Sequence, residues 1–347
     1  QLALIQTNFV IDSLKKKFPQ AEFEIIAMTT TGDQILDIAL SKIGEKSLFT
    51  RELEERLLDK SIDFVVHSLK DLPTQLPEGL VIGSVLKRDD DRDAVVIRKD
   101  LKFKSLADLP DNSVVGTSSL RRAAQIKRKY PKLIIKDIRG NLNTRFRKLD
   151  EATDFDCIIL AAAGLDRMKW SDRISQYLEP SDCLYAVAQG AMAVECCSND
   201  SDLLTLLNSL HDNPTMLRCI AERAFLRTLE GGCSVPVAVH TEYSPDKMTL
   251  TGGVFSIGGK EAIIDSLSTD LSGDEPAAKK SKASAYASIM AESMSQEDMK
   301  SAEKLGEDLA NEMLKNGADA ILKATKAQMA AEIIKDKAER EAKKSQS

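Results

Sequence analysis

The sequence predicts an α/β protein whose sheets are mostly parallel. From Gln1 to about Leu229, short apolar segments of strand type alternate with segments of helical periodicity, which is the pattern of βαβ units. The chain has 347 residues, and at roughly 150 residues per domain this length predicts two or three domains. No internal repeat of fixed period interrupts the alternation.

The predicted elements follow the hydrophobic periodicity in chain order. Apolar residues from Leu2 to Leu14 mark one face of a first helix, and the run 23–28 reads as a strand. A helix over 48–58 and a strand over 63–67 come next. Later strands are predicted at 93–97, 113–116, 133–138 and 157–161, and helices at 120–129 and 142–149. After Ser268 the composition shifts, predicting an exposed loop at 272–284, a helix at about 302–325 and a solvated, frayed tail at 335–347.

Composition excludes several classes of protein. A net charge of −6 argues against general nucleic-acid affinity, and no apolar run approaches the roughly 18 residues that span a bilayer. The six cysteines form no Cys-x-x-Cys pair and the three histidines lie far apart. Neither a zinc site, another metal site nor a disulfide framework is therefore indicated, and we expect a reducing, cytosolic compartment without a membrane or nucleic-acid partner.

Four predicted strands end in polar segments: 67–73, 116–122, 137–145 and 161–167. Ligands bind at the carboxyl ends of strands in open α/β sheets. Any one of these segments could be ordinary loop chemistry, but together they predict a binding cleft.

The segment Gly116–Arg122 is the most informative of the four. It opens a helix, where cations cost about 0.3–1 kcal/mol each because the helix dipole is positive there, yet Arg121 and Arg122 occupy that turn. Guanidinium groups match carboxylate or phosphate, so we expect an anion-binding site. The alternative is that both arginines point to solvent or pair with nearby acids of the protein.

Asp71 is a lone carboxylate at a strand end, next to Lys70 and before Leu72-Pro73. In an arginine-lined cleft it could stabilise a developing cation or relay a proton. The alternative is an aspartate that caps a turn, which is common before proline.

Cys233 lies in the run Glu230-Gly231-Gly232-Cys233-Ser234-Val235-Pro236. The glycines permit a shaped loop and Pro236 stiffens its exit. A thiol presented this way suits a nucleophile or a covalent attachment point, although a buried structural cysteine is the commoner fate.

These segments together resemble the porphobilinogen deaminase family, over about residues 1–253. The specific stretches are Val65–Pro73, Val115–Arg122, Ile138–Asn141 and Leu229–Pro236. The resemblance implies a transferase of haem and tetrapyrrole biosynthesis. Such an enzyme joins four porphobilinogen molecules head to tail, releasing ammonia at each step, to give hydroxymethylbilane.

The resemblance also implies the site. Cys233 would carry a dipyrromethane cofactor through a thioether, and Asp71 would be the catalytic carboxylate. Substrate carboxylates would be bound by Arg139 and Arg167. The cofactor would be bound by the following residues: Ser68, Lys70, Thr117, Ser118, Ser119, Arg121, Arg122, Gly140, Arg145 and Gln189.

Three domains are implied by the same resemblance, and a monomer is expected. The first two, residues 1–88 with 188–211 and residues 89–187, would resemble the lobes of periplasmic binding proteins. Residues 212–347 would form a smaller α+β domain that carries the cysteine and an extended tail.

The chain departs from the family pattern at three places. The family has a strand with an Arg-Lys-Ser segment before the position of Gln1, so we expect the chain from Gln1 to be unstable or inactive. Alanine replaces glycine at 188 and 193, which could crowd a domain crossing or disfavour a positive φ. Cys196-Cys197 replaces a hydrophobic-basic pair.

Two other functions remain open from the residues. One is a catalytically impaired family member that binds cofactor or tetrapyrrole without turnover, which the departures favour. The other is a small-anion-binding protein of periplasmic type, against which Cys233 argues.

Overall fold

The computed structural model describes residues 2–28, 47–152, 154–229, 235–272, 284–291 and 294–344. The helices of these residues are α1 (Leu2–Lys17), α2 (Ser47–Leu58), α3 (Leu120–Lys129), α4 (Leu142–Glu151), α5 (Ala162–Arg167), α6 (Ser201–Asn208), α7 (Asn213–Thr228), α8 (Gln296–Met313) and α9 (Asp319–Lys344). None of them is both long enough and apolar enough to cross a membrane.

The described strands form three sheets. They are β1 (Phe64–Ser68), β2 (Leu80–Val85), β3 (Asp93–Ile97), β4 (Val114–Gly116), β5 (Ile134–Lys136), β6 (Cys157–Ala161), β7 (Gln176–Leu178), β8 (Met192–Cys197), β9 (Val237–Ser244), β10 (Lys247–Phe255), β11 (Ala262–Asp270), β12 (Ala285–Tyr286) and β13 (Ile289–Met290). The sheet orders are β1-β8-β2-β13-β12, β5-β4-β6-β3-β7 and β11-β10-β9. The α/β class is confirmed.

The first two sheets are mixed, so the expectation of mostly parallel sheets is wrong for the described strands. Parallel pairing is confined to β2 with β13 and to β4 with β5 and β6. The chain crosses between the first two sheets after β2 and returns through β8, which then lies antiparallel between β1 and β2. β3 likewise runs antiparallel to β6 and β7.

The third sheet is antiparallel and packs one face against helices. Burial alternates along β11, where every second residue is exposed, as expected for a sheet with one solvated face. Phe225 of α7, Leu250 of β10 and Leu309 of α8 belong to one core cluster, which also includes Leu69 and Ile82 of the first sheet region. This part of the chain therefore has the predicted α+β character.

Three predicted segments differ from the structure. The helix expected at about 302–325 is divided, because α8 ends at Met313, Gly317 has φ +106° and α9 begins at Asp319. Residues 23–28 form no strand, and Ile25 and Ile26 are 42% and 49% exposed. Among the described residues β1 pairs with β8 on one edge, and no strand pairs with its other edge. α9 continues to Lys344, so the expected frayed tail is helical over most of its length. The predicted loop at 272–284 falls almost entirely outside the described residues.

A buried ionic network joins the three sheets at the domain crossings. The Arg88 guanidinium donates to both carboxylate oxygens of Glu222 on α7, at 2.7 and 3.1 Å. The same carboxylate accepts from the Ala188 amide at 2.7 Å and from Thr241 Oγ1 at 2.9 Å. Residues from both crossings, α7 and β9 thus share one carboxylate, which fixes the crossings against the third sheet.

The alanines that replace family glycines differ in their surroundings. Ala188 has φ +59°, so of the two effects considered for the replacement, a disfavoured positive φ applies at this position. Ala193 lies within β8, where it pairs with His67 and Val85, and it is not among the residues with positive φ. The local cost of the replacement is therefore confined to Ala188.

Gly190→Ala is expected to destabilise the fold. Gly190 has φ +88°, and an added Cβ would lie 2.7 Å from the Asp89 carbonyl oxygen. The left-handed conformation alone costs about 1–2 kcal/mol for a residue with a side chain, and the backbone contact adds to it. Gly258→Ala is the control, because Gly258 is exposed and has no atom within 4 Å of the added Cβ. Equal denaturation midpoints for the two variants would contradict the assigned backbone strain.

Candidate active site

The turn after β1 presents two charged residues from an apolar anchor. Leu69 and Leu72 are buried, with 0% and 1% exposure, and the Leu69 amide donates to the Ala191 carbonyl at 2.9 Å. Between them, Lys70 is half-buried and Asp71 is exposed. The alternation of apolar and charged residues therefore fixes the turn while leaving the carboxylate accessible.

The second element of the site is the amino-terminal end of α3. Ser119 caps the helix by accepting from the Arg122 amide at 3.4 Å. Gly116 precedes the cap, and an added Cβ there would meet side chains of Ile158 and Phe155 at 2.9 Å. β4 and α3 thus approach β6 closely and place Arg121 and Arg122 at the same end of the sheet as the start of β3.

Both arginines pair with one carboxylate of the protein. Arg121 Nη1 donates to Asp93 Oδ2 at 2.6 Å, and Arg122 Nη2 donates to Asp93 Oδ1 at 2.7 Å. Further donors of the two guanidinium groups reach the carbonyls of Leu184 at 2.7 Å and Ile159 at 3.0 Å. Internal pairing, the second of the two alternatives for these arginines, is what the structure shows. Their role toward the cofactor stays a prediction.

Asp93 was missed from the sequence, although it is the centre of this arrangement. The residue is 0% exposed, and burial alone would raise the pKa of its carboxyl group. The guanidinium groups of Arg121 and Arg122 outweigh burial and hold that pKa well below its usual range. A signal was present, because Asp93 is an acid at the start of the apolar run Ala94–Ile97, all of it buried.

Asp93→Asn is expected to lower the free energy of unfolding by about 3–5 kcal/mol, because it leaves two buried guanidinium groups without a counter-charge. The measurement is chemical denaturation. Asp111→Asn is the matched control: Asp111 is 61% exposed and pairs only with exposed Lys132 in the described residues, a type of contact worth about 0–1 kcal/mol. A loss below about 1 kcal/mol in Asp93→Asn would show that the arginines do not depend on this carboxylate.

Lys70 connects the two elements electrostatically. The pKa of its ammonium group is lowered to about 8, mainly by burial; the charges of Arg122 and Arg121 act in the same direction, and those of Asp71 and Asp93 oppose it. The turn after β1 and the start of α3 therefore share one electrostatic environment. That environment has an excess of positive charge, so it would be relieved by an anionic ligand.

Arg145 adds to the positive charge. Burial lowers the pKa of its guanidinium group and so does Arg122, while Asp137 opposes them. Its Nε donates to the Gly140 carbonyl at 2.8 Å, where Gly140 has φ +109°. Arg139 Nε donates to Asp137 Oδ2 at 2.5 Å, which places Arg139 on the more exposed side of this group.

The remaining predicted residues have local partners. Ser118 Oγ donates to the Ile138 carbonyl at 2.5 Å, and Thr117 Oγ1 accepts from the Ser119 amide at 3.2 Å. Ser68 Oγ accepts from Gln6 Nε2 at 2.8 Å. Gln6 is a buried polar residue on the apolar face of α1, which is the signal by which sequence reasoning could have found it.

Arg167 and Gln189 lie at the domain crossings. Arg167 donates to Asp89 Oδ2 at 2.8 Å and to the Gly190 carbonyl at 2.6 Å. Gln189 Nε2 donates to Asp93 Oδ1 at 3.0 Å, and its buried Oε1 has no partner among the described residues. A buried acceptor oriented beside the Arg121–Arg122–Asp93 group could receive a donor from a ligand.

Cys233 lies outside the described residues, as does the rest of the segment between Leu229 and Val235. The described part of the chain contains no group of three or more His, Cys, Asp or Glu side chains arranged to hold a metal ion. The described site is thus a cationic cluster with Asp93 buried at its centre and three exposed carboxylates, those of Asp71, Asp89 and Asp137.

Comparison with known proteins gives consistent matches over most of the chain. Residues 1–205 match the family described as porphobilinogen deaminase, dipyromethane cofactor binding domain, and residues 216–285 match its C-terminal domain. The porphobilinogen deaminase of Synechococcus sp. (strain RCC307) is 53% identical over 267 residues, which cover 77% of this chain and 84% of that protein. The porphobilinogen deaminase of Gloeobacter violaceus is 54% identical over 262 residues, covering 75% and 80%.

Among solved structures, the chain is similar to the periplasmic VFT2 domain of Bordetella pertussis BvgS. The TM-score is 0.34 at 16% identity, with 59% of this chain and 76% of that chain covered. This likeness is loose, so the resemblance of the first two domains to periplasmic binding proteins stays a prediction.

Proposed function

The chain belongs to the porphobilinogen deaminase family. We propose that it condenses four porphobilinogen molecules with release of four molecules of ammonia, and that hydrolysis by one water then frees the product as hydroxymethylbilane. The observation that carries this proposal is the cluster of Arg121 and Arg122 on Asp93 at the start of α3, whose charges also act on Lys70. A binding site with this excess of cations suits a substrate and a growing product that carry several carboxylates.

The residues present fit a dipyrromethane group. Its carboxylates require several cationic donors, and Lys70, Arg122 and Arg145 supply them within one electrostatic environment. Gln189 Oε1, which has no partner among the residues that the structure describes, offers an acceptor beside them. Bound through Cys233, the group would supply the pyrrole to which the first substrate is joined.

The cationic side chains of the site and the Asp71 carboxylate would have different roles. Lys70, Arg121, Arg122 and Arg145 would bind and orient carboxylates, with Arg139 and Arg167 holding those of the incoming substrate. Asp71 would stabilise positive charge that develops as ammonia leaves, and accept or return a proton. The internal carboxylates Asp137 and Asp89 would be exchanged for substrate carboxylates at the two more exposed arginines.

The proposal is tested with the wild-type protein, including any residues that precede Gln1, and porphobilinogen. We expect consumption of porphobilinogen, release of one ammonia per substrate, and an intact mass that exceeds the sequence mass by two pyrrole units. An intact mass equal to the sequence mass, together with absent consumption, would refute the proposal. The adduct without consumption would instead support a member of the family that binds cofactor without turnover.

We further propose that the protein is a cytosolic monomer without a nucleic-acid or membrane partner. The five described cysteines are all free thiols, which supports a reducing compartment. Sedimentation of the purified protein would test the monomer, since a dimer would double its mass.

A further inference from the structure

Arg223 of α7 is a buried cation whose partners are backbone carbonyls. The residue is 1% exposed. Its Nη2 donates to the Pro73 carbonyl at 2.7 Å and its Nε donates to the Ala287 carbonyl at 3.0 Å. Among the described residues it forms no ion pair. Stability alone does not favour such an arrangement, because a buried charge without a carboxylate partner is costly.

Glu195 is the acidic residue whose charge acts on Arg223, but its carboxylate bonds another side chain. Burial lowers the pKa of the Arg223 guanidinium to about 10, and Cys219 and Glu195 act in the opposite direction. Glu195 Oε2, however, bonds His67 Nε2 at 2.9 Å. The guanidinium is therefore held mainly by the two carbonyls, and those contacts define its place in the fold.

The first carbonyl belongs to the turn that carries Asp71. Pro73 follows Leu72 directly, so the hydrogen bond from Arg223 fixes the exit of that turn. Ser288 also holds this segment, since its hydroxyl donates to the Thr74 carbonyl at 3.3 Å. The Ser288 carbonyl in turn accepts from the Ile82 amide at 2.8 Å. The segment after Asp71 is thus held by hydrogen bonds from Arg223 and Ser288.

The second carbonyl belongs to a tight turn between β12 and β13. Ala287 and Ser288 have φ +47° and +67°, and the Ala287 amide donates to Glu303 Oε1 at 2.8 Å. That carboxylate also accepts from Arg227 on α7 at 2.9 Å. Arg223 therefore bridges the segment after Asp71 and the turn between β12 and β13. α7 is connected to that turn a second time, through Arg227 and Glu303.

α7 also leads directly to the predicted attachment site. The helix ends at Thr228, and Cys233 lies in the segment that follows. One side chain of α7 thus bonds the turn of the predicted catalytic carboxylate, and in sequence the predicted cofactor cysteine follows the end of the same helix by five residues.

We infer that Arg223 is a positioning residue that fixes the turn carrying Asp71 against the turn between β12 and β13. The inference rests on the proposed function. Its guanidinium suits this task because its planar fork can reach two carbonyls in fixed directions. A displacement of about 1 Å between reacting groups can cost about 10²-fold in rate, so loss of the bridge should slow turnover more than it weakens binding.

The test compares Arg223→Met, which keeps much of the volume without donors, with Arg223→Lys, which keeps one charged donor. In Arg223→Met we expect the adduct mass to be retained, kcat to fall about 10–100-fold and KM to change much less. Arg223→Lys should recover part of the loss. Arg218→Met is the control on the same helix and should retain wild-type kcat. Half-buried Arg218 donates to the Pro214 carbonyl of its own helix and lies 3.9 Å from Asp91 Oδ2, and within the described part of the chain it has no hydrogen bond or ion pair to either segment.

Amide hydrogen exchange provides a readout that does not depend on activity. Loss of the bridge should increase exchange in residues 69–76 and in residues 284–290 together, in Arg223→Lys as well if Arg223→Met fails to fold. Unchanged exchange in both segments, or wild-type kcat in folded Arg223→Met, would overturn the inference. An inactive wild-type protein would instead refute the proposed function and leave the exchange experiment to decide the bridge.

Discussion

Cys233→Ser is expected to abolish both the covalent adduct and porphobilinogen consumption. The exchange of sulfur for oxygen preserves the size of the side chain but removes the thiolate, which is the nucleophile that cysteine provides. Without a thioether the growing chain has no anchor, so elongation should fall to the background of the assay. Intact mass and substrate consumption, measured on the same preparation, check both parts of this expectation.

Cys197→Ser is the matched control for the loss of a thiol. Cys197 is half-buried, and its Sγ lies 3.1 Å from the Leu57 carbonyl oxygen, a contact that a serine hydroxyl can also make. This variant should keep both adduct and activity. If Cys233→Ser still carried the added mass, the attachment would lie on another residue and the assignment from the glycine loop would be wrong.

Elements with strong local patterns were predicted almost to the residue. β3, β6 and α3 have the bounds that periodicity indicated, because each combines an apolar run or stripe with a clear start and end. Asn141, which caps α4 through the Thr144 amide at 3.0 Å, supplies such a signal. Local sequence determines these elements since their neighbours in space do not compete with it.

Pairing between distant segments could not be read in the same way. The apolar run 23–28 has strand composition, but a strand also needs a partner, and none of the described strands supplies one. The mixed sheets have a similar origin: β8 enters the first sheet between β1 and β2 after the chain has left and returned. Sheet direction depends on that path, which periodicity does not record.

The candidate site shows the same limit for charge. Two arginines at a helix start indicate that a negative group must lie nearby, but the sequence does not say whether the group belongs to ligand or protein. Here Asp93, on another strand, fills that place. The unfavourable placement of two cations at the helix start was thus recognised from the sequence. Identifying Asp93 as their partner required the fold.

Asp71→Asn is expected to lower kcat by about 10²–10⁴-fold, the usual contribution of a group that assists proton transfer. Asparagine preserves the shape but cannot hold a negative charge beside a developing cation. Because Asp71 is exposed while Leu69 and Leu72 anchor its turn, the free energy of unfolding should change by less than about 0.5 kcal/mol. Steady-state kinetics and chemical denaturation measure the two effects separately.

The same substitution should move the pH dependence of binding through Lys70. Asp71 raises the pKa of Lys70, which is about 8 in the wild type, so removing its charge lowers that pKa. A neutral Lys70 binds carboxylates poorly, and the rise of KM with pH should therefore begin at lower pH in Asp71→Asn. Asp63→Asn, at an exposed position before β1, should leave both kcat and this profile unchanged. Near-normal turnover in Asp71→Asn would remove Asp71 from the chemistry, whereas a lost kcat with an unshifted profile would separate its catalytic role from its effect on Lys70.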